Sequence, residues 1–248
     1  MSFNPYSLDG KRILVTGASS GIGKATAIAC SKMGANMVIT GRNAERLQET
    51  FCELDGEGHI QIIADLTNED DVARLSDEVP PIDGFVNNAG IGSKIPINFI
   101  KLSDLQSILN VNTIAPIMLT KMLLKKKKLR KGSSMVVTSS ISGVNSVDIG
   151  NTLYSVSKSA IDGFMKNAAK ELAEKGIRVN SVNPGMVDTP INDYSNVSEE
   201  QMKMDLMRYP LKRHGKPEEI AYAIIYLLSD AAAWVTGTAL KIDGGYSL

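Results

Sequence analysis

The chain has 248 residues, 27 basic and 27 acidic side chains, and 43% hydrophobic residues. This length and composition fit one large or two small globular domains that can bury a core. A net charge near zero argues against a dedicated nucleic-acid-binding protein. The first residues show no basic region followed by an apolar stretch, and no uncharged apolar run reaches the roughly 18 residues of a membrane span. We therefore expect neither a signal peptide nor a membrane span, and a cytoplasmic protein. The two cysteines and two histidines lack the spacing of a disulfide framework or a metal site.

Short β-rich runs alternate with longer helical patterns along the chain. Strands are predicted at residues 11–16, 36–40, 59–64, 82–86, 135–138, 178–182 and 239–242. Helices are predicted at 22–33, 43–51 and about 102–130, 153–175 and 217–228. This alternation, with few hairpin signals, predicts the α/β class and a doubly wound parallel sheet in one domain over 1–248. Such sheets bind ligands beyond the carboxyl ends of their strands, so we expect the chemistry there.

A glycine-rich turn follows the first predicted strand and leads into a helix. Its sequence is TGASSGIG at residues 16–23. The glycines allow close approach of a ligand, and the helix N-terminus offers free N–H groups with a partial positive charge. A pyrophosphate fits such a site, although a glycine-rich turn without a ligand is the alternative. The predicted contacts are Gly17, Ser19, Ser20, Gly21, Ile22 and Gly23.

The end of the second strand distinguishes between nicotinamide cofactors. Residues 40–43 hold no carboxylate for the ribose hydroxyls, whereas Arg42 supplies a guanidinium that suits a 2′-phosphate. NADP(H) is therefore favoured over NAD(H), unless Arg42 is a solvated surface charge. Asp65, after the third strand, can accept a hydrogen bond from an adenine amino group or begin a helix-capping turn.

The fourth strand runs into Asn87, Asn88, Ala89 and Gly90. Small and amide side chains let a cofactor lie close to the chain. They also tie neighbouring strands together, and a purely structural role for both asparagines is an equal alternative.

Tyr154 and Lys158 are separated by one turn of a predicted helix, so they point the same way. A nearby ammonium favours phenolate, which lowers the tyrosine pKa from about 10 and allows general acid or base catalysis nearer neutral pH. Ser140 can add a hydrogen bond to the same substrate oxygen. An isolated pair of this kind is typical of chance on a helix surface.

Taken together, these motifs resemble the short-chain dehydrogenase/reductase family over nearly the whole chain. The residues that carry the resemblance are TGASSGIG at 16–23, NNAG at 87–90, Ser140, YSVSK at 154–158 and PGMVDTP at 184–190. The resemblance implies a seven-stranded parallel Rossmann sheet and an NADP(H)-dependent oxidoreductase. It also implies a catalytic set of Asn112, Ser140, Tyr154 and Lys158.

The resemblance assigns a role to each member of this set. Tyr154 is the acid/base, Lys158 holds the nicotinamide ribose and lowers the tyrosine pKa, and Ser140 polarises the carbonyl. Asn112 anchors a proton-relay water through Lys158, whereas Asn110 stands at the wrong place relative to the following helix.

The same resemblance extends the predicted cofactor site. The added contacts are Leu66, Asn88, Ala89, Gly90, Pro184, Gly185, Val187 and Thr189, together with Arg42, Asp65, Tyr154 and Lys158. A mobile substrate lid is expected at about 188–210. Ser140 precedes Tyr154 by one residue more than is usual in the family, which implies one extra residue in the substrate-facing loop 143–152.

The C-terminal half is most similar to bacterial 3-oxoacyl-(acyl-carrier-protein) reductases, at residues 176–180, 209–219 and 234–245. Sugar, alcohol and small-ketone reductases of the family share these stretches. We therefore expect NADPH-dependent reduction of a ketone, with a 3-oxoacyl thioester favoured over a small ketone, sugar or steroid. A non-catalytic nucleotide-binding scaffold is disfavoured because the catalytic set is complete.

Residues 125–131 (KKKKLRK) form a dense basic segment, named here the lysine run. Cations are favoured at a helix C-terminus, so a solvated helix end is one interpretation. The other is a docking site for an acidic acyl carrier protein, since family carrier-protein reductases are basic near Lys131 and Lys170. The family also implies a homotetramer assembled through the helices at about 102–130 and 153–175.

Overall fold

Parallel strands form a central sheet in the computed structural model, which describes residues 3–192 and 198–248. Within those residues the sheet has seven strands, in the order β3-β2-β1-β4-β5-β6-β7. Their bounds are β1 Arg12–Thr16, β2 Asn36–Gly41, β3 Ile60–Ile63, β4 Ile82–Asn87, β5 Leu129–Thr138, β6 Arg178–Pro184 and β7 Ala239–Ile242. Because β1 pairs with both β2 and β4, the strand order reverses beside it, which opens a crevice at the carboxyl ends. The predicted fold class is confirmed.

Helices cover both faces of the sheet. In the described residues they are α1 Gly21–Lys32, α2 Ala44–Cys52, α3 Glu69–Glu78, α4 Leu102–Leu109, α5 Ala115–Lys125, α6 Thr152–Leu172, α7 Glu199–Met207 and α8 Pro217–Leu228. On one face, Leu75, Leu119 and Met165 of three helices pack on the sheet in one apolar cluster. On the other face, Ala27 and Ile224 of α1 and α8 belong to a second cluster. Strand residues are therefore buried on both sides, as the near-continuous apolar runs predicted.

The long helix predicted at about 102–130 is wrong. A π-helical segment, Asn110–Ile114, separates α4 from α5, and α5 ends at Lys125. Lys127 then adopts a φ of 55°, and the chain turns into β5. Leu129 pairs with Ile82 of β4, so this strand begins well before the predicted residue 135. Strand pairing overrides the helical propensity of a lysine-rich segment.

The lysine run therefore begins at the C-terminal end of α5, as the helix-end interpretation requires, and continues through a turn into the first residues of β5. Lys126 Nζ lies 2.6 Å from an Asp77 carboxylate oxygen, and Arg130 lies 2.8 Å from Asp83. The run ends within the first residues of β5, whereas Ser140 follows the last residue of that strand. Ten residues of strand place the two about 30 Å apart, at opposite edges of the sheet.

The helical stretch Leu102–Lys125, which includes the π-helical segment, is long and apolar enough to cross a membrane by length and composition, with a mean hydropathy of 1.3. Its inward residues Leu119 and Leu123 are buried in the core cluster that includes Phe85 of β4. We interpret it as a helical stretch of the folded domain.

Candidate active site

A cleft of about 1790 Å³ runs along the carboxyl ends of the strands. It is lined by every residue of the predicted catalytic and cofactor sets except Gly23 and Asn112. The turns after separate strands therefore converge on one site, as the doubly wound fold requires.

The N-terminus of α1 faces the middle of this cleft. Ser20 is its N-cap, but among the described contacts its side chain caps no N–H group, and the first turn carries no acidic side chain. A Cβ at Gly23 would lie 2.2 Å from the carbonyl oxygen of Gly17, so only glycine lets the helix pack on the turn. Gly23 does not line the cleft, but its packing on Gly17 sets the position of the α1 N-terminus. Free N–H groups on a tightly packed helix terminus fit a dinucleotide pyrophosphate.

Asn87 and Asn88 both make structural hydrogen bonds. The Asn87 side chain donates to Thr120 Oγ1 at 3.3 Å, which ties β4 to α5. The Asn88 side chain donates to the carbonyl oxygen of Thr16 at 3.1 Å, which ties β4 to β1. Asn88 also lines the cleft. The structural alternative therefore accounts for the amides of both residues.

The far end of the cleft carries the charged groups that the sequence predicted at the adenosine end of the cofactor. The Arg42 guanidinium lies 3.9 Å from Asp65 Oδ2 and is 61% exposed at its side chain. Asp65 Oδ1 accepts hydrogen bonds from the N–H and the hydroxyl of Thr67, which are the contacts of a capping turn. Arg46 also lines the cleft and was missed by sequence reasoning. Its signal was its place in the first turn of α2, directly after the end of the second strand.

The catalytic side chains meet where β4, β5 and α6 converge. Lys158 Nζ lies 5.6 Å from the centre of the Tyr154 ring and donates a hydrogen bond to the Thr138 carbonyl oxygen at 2.8 Å. Ser140 is hydrogen-bonded to Tyr154, and its oxygen accepts the Ser142 N–H at 3.1 Å. A Cβ at Gly90 would come within 3.5 Å of Lys158 Nζ. The predicted tyrosine, lysine and serine are thus brought together.

Burial controls the electrostatics of this cluster. It lowers the pKa of Lys158 to about 8, against an opposing effect of Asp162. It raises the pKa of Tyr154 to about 12, and the hydrogen bond with Ser140 offsets only part of this rise. The predicted fall of the tyrosine pKa is therefore wrong for this arrangement, because desolvation is the larger of the two effects. At neutral pH Tyr154 is a neutral phenol, which is the form a proton donor needs.

Asn112 lies within the π-helical segment, and its side chain connects the turn after β4 to α6 beside the catalytic side chains. Its amide accepts the Ile91 N–H at 2.9 Å and donates to Ser157 Oγ at 3.0 Å. It is buried, whereas Asn110 is exposed, which agrees with the choice between them. Single π-helical turns are frequent at functional sites.

The loop after β6 forms the wall nearest α1. Val187 bridges to Gly215, and the Thr189 hydroxyl donates to the Val187 carbonyl oxygen at 3.3 Å. Asn192, another residue that sequence reasoning missed, donates to the same oxygen at 2.6 Å. Of the predicted lid, residues 193–197 lie outside the described residues. The remainder contains α7, which begins with a capping box at Ser198.

Three distant segments meet on the substrate side of the cleft. Arg208 follows α7, Asp148 belongs to the loop after β5, and Tyr246 belongs to the C-terminal tail. Arg208 lies 3.0 Å from Asp148, Tyr246 donates to Asp148 at 3.2 Å, and Arg208 is hydrogen-bonded to the Tyr246 hydroxyl. We name these three residues the Arg208 cluster. No sequence motif predicted the Arg208 cluster.

The fold and the glycine-rich turn define a dinucleotide-binding α/β protein. Residues 17–247 match the sequence profile of a family described as enoyl-(acyl carrier protein) reductase. A 3-oxoacyl-(acyl-carrier-protein) reductase of Thermotoga maritima is 36% identical over 244 residues, which cover 96% of this chain and 98% of that protein. An L-xylulose reductase of Caenorhabditis elegans is 35% identical, with 98% of each chain covered.

Solved structures give the same result. A short-chain dehydrogenase from Burkholderia cenocepacia in complex with NADP superposes with a TM-score of 0.89 at 32% identity, and the match covers 99% of this chain and 100% of that chain. The chain therefore belongs to the short-chain dehydrogenase/reductase family. It is an oxidoreductase that uses a nicotinamide cofactor.

Proposed function

We propose that the protein is an NADP(H)-dependent reductase that converts a ketone to a secondary alcohol. The observation that carries this proposal is the convergence of Ser140, Tyr154 and Lys158 on one cleft with the open N-terminus of α1. The residues that would hold the cofactor are the turn 17–23, Arg42 and the loop 184–189. Bound there, the nicotinamide supplies a hydride for the carbonyl carbon.

The chain's own residues supply the proton and the orientation. The neutral Tyr154 phenol donates its proton to the carbonyl oxygen as charge develops on it. Ser140 donates a hydrogen bond to the same oxygen, since its own oxygen is already engaged by the Ser142 N–H. Lys158 binds the ribose hydroxyls and places a positive charge beside the phenolate that forms. Asn112 fixes the π-helical turn from which a proton-relay water would be held.

The preference for NADP over NAD is supported by two guanidinium groups at the adenosine end. Arg42 and Arg46 both line the cleft, and Asp65 is engaged by Thr67. A 2′-phosphate between two such groups would form charge-assisted hydrogen bonds. The NADP complex of the similar Burkholderia structure supports the same assignment.

A 3-oxoacyl thioester is the substrate that we favour. The T. maritima relative supports it, as do the apolar side chains of Ile91, Ile149 and Met186 along the cleft. The second candidate is a sugar or another small polar ketone, as in the L-xylulose reductase relative. The Arg208 cluster favours it, because it brings charged and hydroxyl groups to the same wall.

We further propose a cytoplasmic homotetramer of single-domain chains over residues 1–248, with a substrate lid at about 188–210. Exposed apolar side chains on the helices, such as Leu102, Ile114 and Val156, support assembly. An acyl carrier protein docked on the lysine run would lie too far from Ser140 of the same chain. It would serve the cleft of a neighbouring subunit.

The test follows NADPH oxidation with an acetoacetyl carrier protein, its coenzyme A analogue, sugars and simple ketones, at low and high salt. A salt-sensitive preference for the carrier-bound thioester supports the favoured substrate and carrier docking, since charge steering weakens with ionic strength. Activity on free ketones or sugars alone moves the assignment to the second candidate. No oxidation with any carbonyl compound contradicts the proposal.

A charge-reversal variant isolates the lysine run. Lys125→Glu/Lys127→Glu/Lys131→Glu should raise KM for the carrier-bound substrate and leave that for the coenzyme A analogue unchanged. The matched control is Lys32→Glu/Lys216→Glu/Lys241→Glu, which reverses three charges at exposed sites outside the run.

A further inference from the structure

A buried carboxylate lies directly behind the catalytic lysine. Asp162 is one helical turn after Lys158 on α6, and the two side chains are 2% and 4% exposed. Residues at this spacing face the same way, with Cβ atoms about 5–6 Å apart. Burying an unpaired charge is costly, so a buried ammonium and a buried carboxylate at this spacing stabilise each other.

Asp162 is held from the neighbouring strand. The Ser181 hydroxyl lies 2.8 Å from Asp162 Oδ1, and the Asn183 side chain donates to Oδ2 at 3.1 Å. Ser181 has one hydroxyl hydrogen for two acceptors, Asp162 and the Asn183 oxygen, and the charged acceptor forms the stronger bond. Both carboxylate oxygens therefore receive a hydrogen-bond donor from β6.

The same network reaches the catalytic serine. The other N–H of the Asn183 side chain donates to the Ser140 carbonyl oxygen at 3.0 Å. One amide thus joins the Asp162 carboxylate to the main chain that carries the Ser140 hydroxyl. Asn183 therefore links the Asp162 carboxylate, which lies behind Lys158, to the position of Ser140.

The remaining groups around Lys158 carry no charge at neutral pH. Among the described contacts, α6 contributes the Tyr154 ring, β5 the Thr138 carbonyl oxygen, and the turn after β4 contributes Gly90. The Ser139 hydroxyl on the β5 side donates to the Lys158 carbonyl oxygen. Asp162 is the charged group whose field acts on this ammonium.

We propose that Asp162 is a positioning residue of the active site, which keeps Lys158 in its ammonium form and, through Asn183, fixes the main chain at Ser140. The proposal rests on the proposed function, because it takes Lys158 and Ser140 as members of the catalytic set. It adds Asp162, together with Ser181 and Asn183 of β6, and none of these three residues belongs to the recognised motifs.

The first experiment needs neither cofactor nor substrate. Lysine labelled with carbon-13 at Cε is followed by NMR from about pH 6 to about pH 11, and the Lys158 signal is assigned by its loss in Lys158→Arg. The wild-type midpoint is expected at about 8. Asp162→Asn should lower it by at least about half a pH unit, because the charge that favours the ammonium is gone.

The matched control is Glu171→Gln, which makes the same change at an exposed site of α6 and should leave the midpoint unchanged. If Asp162→Asn does not fold, Asp162→Leu/Asn183→Ala removes the carboxylate together with its amide donor and is titrated in the same way. An unchanged Lys158 midpoint in a folded variant without the carboxylate overturns the proposal.

The second experiment separates the two parts of the role. In Asp162→Asn the alkaline limb of the kcat profile should move to lower pH with the Lys158 midpoint, whereas a merely structural defect would lower kcat equally at every pH. Asn183→Ala should leave the limb in place and reduce kcat about tenfold with little change in KM, as Ser140 loses its anchor. An unaltered kcat in Asn183→Ala would contradict the link to Ser140. If the wild-type enzyme reduces no carbonyl compound, the proposed function fails and the titration still decides the coupling.

Discussion

The two ends of the cleft are built in different ways. At the cofactor end, each group lies within a few residues of a strand end, as in the turn 17–23 and at Arg42. At the substrate end, Arg208 meets Asp148 from 60 residues away and Tyr246 from 38 residues away. Local sequence determines the first end, whereas only the folded chain assembles the second.

This difference explains why cofactor binding is shared across the family, whereas the substrate differs between its members. A dinucleotide needs backbone N–H groups and close approach, and short motifs encode both. A substrate wall made of long-range side-chain contacts can change one residue at a time without disturbing the sheet. Relatives named for different substrates, a 3-oxoacyl carrier protein and a sugar, are accordingly about equally similar to this chain.

The largest effect is expected where the two ends meet, at Tyr154. Tyr154→Phe removes the proton donor and should lower kcat by about 10²–10⁴-fold, with cofactor affinity nearly unchanged. Steady-state rates and NADPH fluorescence titration measure the two quantities. Tyr222→Phe removes the same hydroxyl from an exposed site on α8 and should have no effect. Retention of more than a tenth of the wild-type kcat in Tyr154→Phe would exclude the phenol as the proton donor.

The next largest effect is expected for Lys158→Met, which should abolish activity but increase the stability of the folded protein. Burial holds its folded-state pKa near 8, below the 10.5 of the free side chain, so the charged form destabilises the folded protein by about 3 kcal/mol at neutral pH. Lys158→Met removes this cost but also the hydrogen bond to Thr138, so a net gain of about 1–2 kcal/mol is expected, together with loss of activity.

The pH dependence of that gain follows from the sign of the shift. Between about 8 and 10.5 the wild-type unfolded state binds more protons at Lys158 than the folded state, so wild-type stability rises with pH in this window and the advantage of the variant shrinks. Urea unfolding at pH 7 and pH 10 measures this change. Lys166→Met, exposed on the same helix, serves as the control. An advantage that stays constant across the window would show that Lys158 titrates normally in the folded chain.

The sequence predicted the fold class, and most of the residues it proposed for the cofactor line one cleft, because both depend on local patterns. Apolar runs and turn glycines gave the strands, and the choice of Asn112 over Asn110 agrees with their burial. The sequence did not predict the π-helical break or the early start of β5, because pairing of Leu129 with Ile82 is a long-range contact.

The electrostatics could not be predicted from spacing alone. Tyr154 and Lys158 are one turn apart, as expected, but how deeply the fold buries them sets the direction of the tyrosine pKa. Asn192 and the Arg208 cluster were missed for the same reason, since each is identified by a contact across separate segments. Arg46 could have been found from its place in the first turn of α2, just after the second strand.

Arg42→Ala tests whether the cofactor end of the cleft recognises the 2′-phosphate. Loss of a charge-assisted contact to a 2′-phosphate should raise KM for NADPH about tenfold and leave KM for NADH little changed. Arg74→Ala removes an equivalent charge from α3, outside the cleft, and should alter neither value. Equal increases for both cofactors would mean that Arg42 supports the fold of the site without reading the phosphate.

The smallest effect is expected from the Arg208 cluster, because its side chains are partly exposed and such ion pairs contribute at most about 1 kcal/mol. Arg208→Ala should raise the substrate KM no more than about fivefold and leave kcat and the affinity for NADPH unchanged, since the proton donor and the cofactor turn are untouched. Lys203→Ala, exposed on α7, is the matched control. A panel of thioester and polar ketone substrates makes the measurement sharper. If the increase in KM is confined to polar ketones, the cluster binds their hydroxyl groups and the second candidate substrate gains support. A fall in kcat for all substrates would instead place Arg208 in the catalytic machinery, and the contrast between the cofactor end and the substrate end would no longer hold.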